Sequence, residues 1–299
     1  MDMKHELSAF PLTPLQNNQV DLNAFSQLLQ RLTDAKVDSI GILGSTGCYP
    51  YLDRATKQKV IQTAVEQSCN IPIMVGVGSL NTYDVLTNVE DAQKLGASSI
   101  MLAPVSYHKL TEDDVFELFK DVSQEISIPI CIYDNPGTTD FTFTDELYAR
   151  IAHLPYIDSI KIPAIAKDIE LSKQRIDQIR NVIPNHVRIG MSSDSSAAWG
   201  ISAGADIWFS ATAGLFPTLI QKIFVTAQQG QIQEAIQLSE KFNPLWKLVA
   251  QYKGSVRCVA AMAEILGLVQ SPCLPRPIQP MNEETKEQLK QFMQSISLS

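Results

Sequence analysis

Lys161 stands in a run of mainly apolar residues, 157–164, that predicts a buried β-strand. Burial disfavours the charged form of a lysine and lowers its pKa, and the neutral amine is a nucleophile for carbonyl carbons. At an ordinary pKa of about 10.4, only roughly one lysine in 2,500 is neutral at pH 7. The position therefore predicts a lysine that forms a Schiff base. The alternative is a side chain that extends from the strand end to water or pairs with a carboxylate.

Two other groups with suitable chemistry also follow predicted strands. The turn Gly44-Ser45-Thr46-Gly47 offers hydroxyls and backbone N–H groups that can hold a carboxylate, and Tyr133 carries a phenol that can relay protons. Each has an ordinary alternative, respectively a tight turn and a buried tyrosine with one satisfied hydrogen bond. Together with a nucleophilic amine, they supply what converts a 2-oxo acid into an imine and then an enamine.

The elements that must position these groups alternate between short apolar strands and amphipathic helices. One helix is predicted after Asp21, with apolar residues at spacings of three and four over 22–32, and another begins with a capping-box pattern at Thr111. Nearly continuous apolar strands are typical of a parallel sheet covered by helices. Eight such repeats predict an α/β protein with a (β/α)8 TIM barrel, whose active site lies at the carboxyl ends of the strands. The predicted strands are 7–10, 39–43, 71–77, 99–103, 128–133, 157–162, 187–191 and 205–210.

The barrel accounts for residues 1–228, and residues 229–299 form a predicted C-terminal extension of three helices. These helices are expected around 231–251, 255–266 and 282–295, with a proline-rich turn at 272–280 between the second and the third. We expect the extension to pack on the barrel or on a neighbouring subunit. The competing architecture, a dinucleotide-binding open sheet, lacks its fingerprint, because no third glycine follows Gly76-Val77-Gly78 at the required spacing.

Composition narrows the classes of function. The 299 residues are 45% hydrophobic and carry a net charge of -8 with no basic block, which argues against nucleic-acid and anionic-membrane partners. No apolar run approaches the roughly 20 residues that span a bilayer, and the five cysteines are widely spaced, so we expect reduced thiols in the cytoplasm. Four scattered histidines and the absence of GxSxG predict neither a metal site nor a serine hydrolase.

Three segments carry a resemblance to a known family. The turn 44–47, the segment Tyr133-Asp134-Asn135-Pro136 and the strand Ser159-Ile160-Lys161 are similar to the GTTG, YNxP and GIK segments of the dihydrodipicolinate synthase and N-acetylneuraminate lyase family. The resemblance extends over essentially the whole chain. It implies a (β/α)8 barrel with a helical extension, a homotetramer built as a dimer of dimers, and class I aldolase chemistry on pyruvate or a related 2-oxo acid without cofactor or metal.

The resemblance also implies roles for single residues. Lys161 would form the imine, Tyr133 would relay protons, and Tyr107 would reach a neighbouring subunit's site and join that relay. Ser45 and Thr46, with Gly44 and Gly47 shaping their turn, would hold the substrate carboxylate. Thr138 and Phe209 are further candidate substrate-binding residues, at the ends of the fifth and eighth predicted strands.

Two departures from the family pattern concern the second substrate. Thr138 stands where true dihydrodipicolinate synthases carry an arginine that binds a carboxylate, and threonine cannot replace that bidentate contact. Cys48 stands where those enzymes carry a glutamate; it is either a reactive thiol or a small space-filling residue. The chain therefore resembles a paralogue whose second substrate is unassigned. One alternative is a 2-keto-3-deoxy sugar acid aldolase or dehydratase, and another is a non-catalytic 2-oxo acid sensor.

Overall fold

Eight parallel strands close into a barrel in the computed structural model, which describes residues 5–296. Residues 1–4 and 297–299, at the outer ends of the two predicted segments, lie outside the described residues. The barrel order follows the chain, with the last strand hydrogen-bonded to the first. This confirms the predicted (β/α)8 barrel. The strands are β1 (Glu6–Ala9), β4 (Ser39–Ile42), β5 (Ile73–Gly76), β6 (Ser99–Leu102), β7 (Ile130–Tyr133), β8 (Ile157–Ile162), β9 (Arg188–Met191) and β10 (Ile207–Ser210); β2 (Leu15–Gln16) and β3 (Gln19–Val20) form a separate hairpin.

Helices cover the outer face of the barrel, and two of them begin with the side-chain caps that the sequence predicted. The Asp21 side chain accepts a hydrogen bond from the amide of Ala24, and Thr111 forms both halves of a capping box with Asp114. The helices in this part of the chain are α1 (Leu22–Ala35), α2 (Arg54–Gln67), α3 (Thr82–Lys94), α4 (Glu112–Gln124), α5 (Pro136–Thr139), α6 (Asp145–Ala152), α7 (Ile169–Arg180), α8 (Asp194–Ser202) and α9 (Pro217–Gln228).

The extension contains four helices among the described residues, so the prediction of three was wrong. The single helix expected over 231–251 is divided at Lys241 and Phe242, because Pro244 has no N–H to bond the carbonyl four residues earlier, at the end of the first helix. Proline is tolerated in a first turn, so a new helix starts there. The four helices are α10 (Ile232–Glu240), α11 (Asn243–Gln251), α12 (Val256–Ile265) and α13 (Glu283–Ser295).

Two separate hydrophobic cores follow from this architecture. The larger one fills the space between the strands and the surrounding helices, and a small one fills the barrel interior. At the amino end of the strands, Arg188 is held by Glu6 and Asp158, each at 2.6 Å. Burial alone would lower the pKa of Arg188, but the hydrogen bonds and charges of these carboxylates raise it. No helix between residues 5 and 296 is long and apolar enough to cross a membrane.

Candidate active site

Lys161 lies buried on β8, with its amine in the upper part of the barrel interior and 5% of the residue exposed. The register places it beside Tyr133 of β7 and Gly190 of β9. Burial lowers the pKa of Lys161 from 10.5 to about 8. A lysine with that pKa is neutral in about one molecule in ten at pH 7, whereas an ordinary lysine is neutral in roughly one in 2,500. The side chain is therefore held as the sequence predicted, away from water and partly as a free amine.

Three aromatic rings surround the Lys161 amine. Nζ lies 4.1 Å from the ring centroid of Phe10, 4.2 Å from that of Tyr133 and 5.5 Å from that of Phe209. Phe10 and Phe209 also contact each other edge to face, with centroids 6.1 Å apart. These rings exclude water from the amine, which is the physical origin of the burial that lowers its pKa. Phe10 was not predicted as a site residue.

Two glycines in the strands make room for these rings. A Cβ on Gly41 of β4 would lie 2.1 Å from the Phe10 ring, and one on Gly190 of β9 would lie 2.3 Å from the Phe209 ring. Neither position can carry a side chain without moving the aromatic residue. A glycine inside an apolar strand is the sequence signal that could have revealed the close approach of Phe10.

The Tyr133 hydroxyl is part of a three-residue hydrogen-bond network. Its Oη lies 3.2 Å from Ser45 Oγ and 2.8 Å from the amide Nδ2 of Asn135, which in turn lies 3.3 Å from Ser45 Oγ. Burial raises the pKa of Tyr133 to about 12, and the hydrogen bonds from Ser45 and Asn135 act against that rise. The predicted pair of Ser45 and Tyr133 is therefore brought together, and Asn135 is a third member that the sequence reasoning missed.

The turn after β4 brings Ser45 and Thr46 into the wall of the cavity that leads to Lys161. Gly44 and Gly47 are not part of that wall but let the turn pack closely: a Cβ on Gly44 would meet the Phe10 ring at 2.9 Å, and one on Gly47 would meet the Leu43 backbone nitrogen at 2.9 Å. The turn closes with a hydrogen bond from the Cys48 amide to the Ser45 carbonyl.

Cys48 is buried, and its pKa is raised to about 12 because burial disfavours the thiolate. A thiol with that pKa is not an activated nucleophile at neutral pH. The structure therefore favours the space-filling alternative for this residue.

The cavity above Lys161 has a volume of about 420 Å³ and opens at the carboxyl end of the barrel. Thr138 and Phe209, both predicted, are part of its wall. The extension contributes a wall as well, although no functional residue was predicted there. The extension lines the cavity with Trp246, Val249, Ala250 and Ser255, and its Lys253 lies at the exposed rim. Ser192, Ser193 and Ser195 of the barrel are also part of the wall.

Asp194 is part of the serine-rich wall, and both of its carboxylate oxygens accept hydrogen bonds from neighbouring elements. Its two oxygens accept hydrogen bonds from the indole of Trp208 at 2.8 Å and from the backbone and hydroxyl of Thr212 at 2.9 and 2.7 Å. The carboxylate thus ties the start of α8 to β10 and to the turn after it. It also lies near enough to raise the pKa of Lys161 slightly, against the larger effect of burial.

Asp134 takes the position of the asparagine in the YNxP pattern and is buried directly after Tyr133. One carboxylate oxygen accepts a hydrogen bond from Tyr148 at 2.5 Å, and the other has no hydrogen-bond partner among residues 5–296. Burial raises the pKa of Asp134 to about 6, although Tyr148 and Arg175 act in the opposite direction. A buried carboxyl group with a raised pKa therefore directly follows Tyr133 in the chain.

Tyr107 does not reach the cavity of its own chain. The residue is 89% exposed, on the segment after β6, and its ring lies edge to face with the His108 ring, with the centroids 5.2 Å apart. Within the described part of the chain, no group of three histidine, cysteine, aspartate or glutamate side chains is arranged to hold a metal ion.

Comparison with known proteins gives one consistent result. A sequence model described as the Dihydrodipicolinate synthetase family matches residues 3–296. The curated relatives include 4-hydroxy-tetrahydrodipicolinate synthases from Rickettsia typhi, 27% identical over 96% of this chain and 95% of the relative, and from Thermotoga neapolitana, 26% identical over 96% and 97%. The crystal structure of dihydrodipicolinate synthase from Agrobacterium tumefaciens is 38% identical, with a TM-score of 0.93 over 99% of this chain and 98% of that chain. A putative dihydrodipicolinate synthetase from Pseudomonas aeruginosa is 27% identical, with a TM-score of 0.86 over 98% and 99%.

Proposed function

The chain belongs to the dihydrodipicolinate synthetase family and is a lyase of the class I aldolase type, and on that premise we propose that Lys161 forms an imine with pyruvate or a related 2-oxo acid. The observation that carries this proposal is the buried amine of Lys161, enclosed by three rings at the base of a cavity. Its lowered pKa makes neutral amine available at pH 7.

The proposed reaction uses side chains of this chain and needs neither cofactor nor metal. The Lys161 nitrogen attacks the keto carbon, the carbinolamine loses water, and the protonated imine withdraws electrons from C3. Loss of a proton from C3 gives an enamine, which is the nucleophile in carbon–carbon bond formation. Tyr133 relays these protons. Ser45 and Thr46 hold the substrate carboxylate, since they line the cavity beside Tyr133.

Borohydride trapping tests the imine directly. Treatment with pyruvate and borohydride should add one reduced pyruvate to the protein, and peptide mapping should locate it on Lys161. Lys253 is an internal control, because it lines the same cavity but is exposed at its rim. Label on Lys253 alone, or no label, would contradict the proposal, and Lys161→Ala should abolish trapping while the fold is retained.

The second substrate is proposed from the wall that faces the imine. Beyond Lys161 the cavity presents the hydroxyls of Thr138, Ser192, Ser193 and Ser195, and its other cation is Lys253 at the exposed rim. Polar groups in a binding site select ligands that satisfy their hydrogen bonds. This wall favours a hydroxylated partner, so a 2-keto-3-deoxy sugar acid aldolase or dehydratase is the second candidate function.

A substrate panel separates these candidates. Pyruvate release from 2-keto-3-deoxy sugar acids, or their dehydration, would support the second candidate, whereas synthesis of 4-hydroxy-tetrahydrodipicolinate, for which curated relatives are named, would contradict it. Trapping of pyruvate without turnover of any panel member would favour the 2-oxo acid sensor over the enzyme.

We also propose that the chain works in the cytoplasm as a homo-oligomer, a tetramer built as a dimer of dimers, in which Tyr107 completes the site of a neighbouring chain. Its support is the exposure of Tyr107, Tyr83 and Leu80, which lie after successive strands β5 and β6 and present apolar surface to solvent. A mixture of Tyr107→Phe and Lys161→Ala subunits tests the arrangement. Mixed oligomers should regain activity, because one site then combines an intact lysine with an intact tyrosine; two inactive parents that never complement would contradict it.

A further inference from the structure

Asn135 occupies the first position before α5, where an asparagine ordinarily accepts a hydrogen bond from the helix backbone. Asn81 shows this ordinary use at the start of α3, since its Oδ1 accepts from the Asp84 amide at 2.8 Å. The Asn135 side chain makes no such bond within residues 5–296. Its amide instead faces the cavity and donates to Tyr133 Oη at 2.8 Å and to Ser45 Oγ at 3.3 Å.

Backbone hydrogen bonds in the turn at 135–139 fix the position of Asn135. The Asn135 carbonyl accepts hydrogen bonds from the amides of Thr138 at 3.0 Å and Thr139 at 3.1 Å, and from the Thr139 hydroxyl at 3.1 Å. Pro136 restricts the backbone of the residue before it. These contacts fix the Asn135 backbone, and the side-chain amide is fixed by its bonds to Tyr133 and Ser45, so the donor has a defined direction.

The number of hydrogens shared by Asn135, Tyr133 and Ser45 determines whether the network can transfer a proton. The Asn135 amide nitrogen carries two hydrogens and no acceptor, so Tyr133 Oη and Ser45 Oγ each accept one of them. The two hydroxyls share a single contact of 3.2 Å, which uses one of their two protons. The other hydroxyl proton is not used in these three contacts, so it is the one that the network has for transfer to a bound substrate.

Asn135 is also placed to stabilise the Tyr133 phenolate that forms when the phenol loses its proton. When the phenol gives up its proton, Tyr133 Oη becomes a phenolate in a buried position, and burial disfavours that charge. Hydrogen bonds from neighbouring donors to an anion are roughly twice as strong as neutral ones. Asn135 and Ser45 are the two donors already in place, and Asn135 makes the shorter contact.

We propose that Asn135 is a positioning residue of the proton relay, which holds the Tyr133 hydroxyl as an acceptor and stabilises its phenolate. The proposal rests on the proposed function. In the relay, the Tyr133 hydroxyl gives its proton to the carbinolamine hydroxyl, which leaves as water when the protonated imine forms. The resulting phenolate then takes a proton from C3 of the imine, and the C–H electron pair becomes the C2–C3 double bond of the enamine. The positive charge on the imine nitrogen is neutralised in the same step, and the reverse step returns a proton from Tyr133 to C3.

Exchange of the pyruvate methyl hydrogens in D₂O tests this role without any second substrate. Proton NMR gives the exchange rate, and borohydride trapping at saturating pyruvate gives the extent of imine formation. Asn135→Ala should leave the extent of trapping unchanged and slow exchange about tenfold to a hundredfold, the loss expected for one donor to a developing anion. Asn81→Ala is the matched control, because it removes a capping asparagine that is exposed and outside the cavity wall; it should lower the melting temperature and leave exchange unchanged.

Asn135→Asp gives a readout that a purely structural residue would not change. The new carboxylate only accepts hydrogen bonds, so exchange should be slow at neutral pH and recover as the pH falls and the carboxyl is protonated. Exchange rates in Asn135→Ala equal to those of the unaltered protein, or no recovery of Asn135→Asp at low pH, would overturn the role of Asn135. Absence of trapping in the unaltered protein would instead overturn the proposed function itself.

Discussion

Phe10 should control the pKa of Lys161, and Phe10→Ala tests that inference. Its ring is the one nearest to the Lys161 amine, with the centroid 4.1 Å from Nζ. The neighbouring strand has Gly41 beneath the ring, so no side chain at that position can fill the space that the substitution leaves. Water should enter from the cavity, which already reaches Phe10 and Lys161. Hydration of the amine favours its charged form, and the pKa should therefore rise.

The size of the effect follows from the number of rings. Burial lowers the pKa of Lys161 from 10.5 to about 8, and Phe10 is one of three rings that enclose the amine. If each ring contributes a third, removal of Phe10 brings the pKa to about 9, and the neutral fraction at pH 7 falls from about 9% to about 1%. A ring face also attracts an ammonium, by about 0.5–2 kcal/mol, which acts in the opposite direction. The net pKa is lowered in the intact site, so we expect hydration to dominate.

The assay is the initial rate of imine formation with pyruvate, quenched by borohydride and followed by intact-protein mass across pH 6–10. The unaltered protein should show a midpoint near pH 8, and Phe10→Ala a midpoint near pH 9 with a rate about tenfold lower at pH 7. Phe119→Ala is the matched control, because Phe119 is equally buried but lies in the outer core. An unchanged or lower midpoint in Phe10→Ala, or a midpoint near 10.5 in the unaltered protein, would refute the reasoning.

Three further predictions concern groups around the same cavity and at the opposite end of the barrel. Tyr133→Phe should slow pyruvate methyl exchange by roughly 10²- to 10⁴-fold, the usual effect of a lost proton relay, while trapping is retained. Asp134→Asn should stabilise the protein above pH 6 by up to about 3 kcal/mol, because the raised folded-state pKa makes ionisation unfavourable to folding; in urea denaturation this gain should disappear below about pH 4. Arg188→Met should destabilise by about 1–3 kcal/mol, since it leaves the partly buried carboxylates of Glu6 and Asp158 unpaired, with pyruvate trapping per folded molecule unchanged.

The strands and helices were predictable where apolar residues recur at a regular spacing. They were less predictable where a single residue ends a helix or where a strand is very short. All eight barrel strands were found within about two residues of their predicted ends, because buried parallel strands are continuous apolar runs. The hairpin of β2 and β3 was missed, since strands of two residues have no period. The break before α11 was missed because its apolar pattern continues across Pro244.

The site was predictable where the residue type itself is unusual for its position. A lysine at a strand end and a turn with two hydroxyls are unusual enough to indicate a site. Phe10 has an ordinary residue type for a strand, and only its contact with Gly41 in the structure shows its role. Asn135 was missed for a different reason. Asparagine before proline is typical of a turn or helix start, and only the three-dimensional structure shows its amide directed to Tyr133.

The two ends of the barrel differ in how their buried ionisable groups affect stability. Lys161 on β8 and Asp134 directly after β7 lie at the carboxyl end, and burial moves the pKa of each toward neutrality. Below pH 8 the folded state must hold the Lys161 ammonium in an apolar interior, which corresponds to about 3 kcal/mol against folding. That is a large fraction of the 5–15 kcal/mol by which domains are typically stable. The paired Arg188 at the amino end carries no such penalty from an unmatched charge. The carboxyl end therefore tolerates a buried amine with a lowered pKa because packing and ion pairs elsewhere in the barrel maintain the fold.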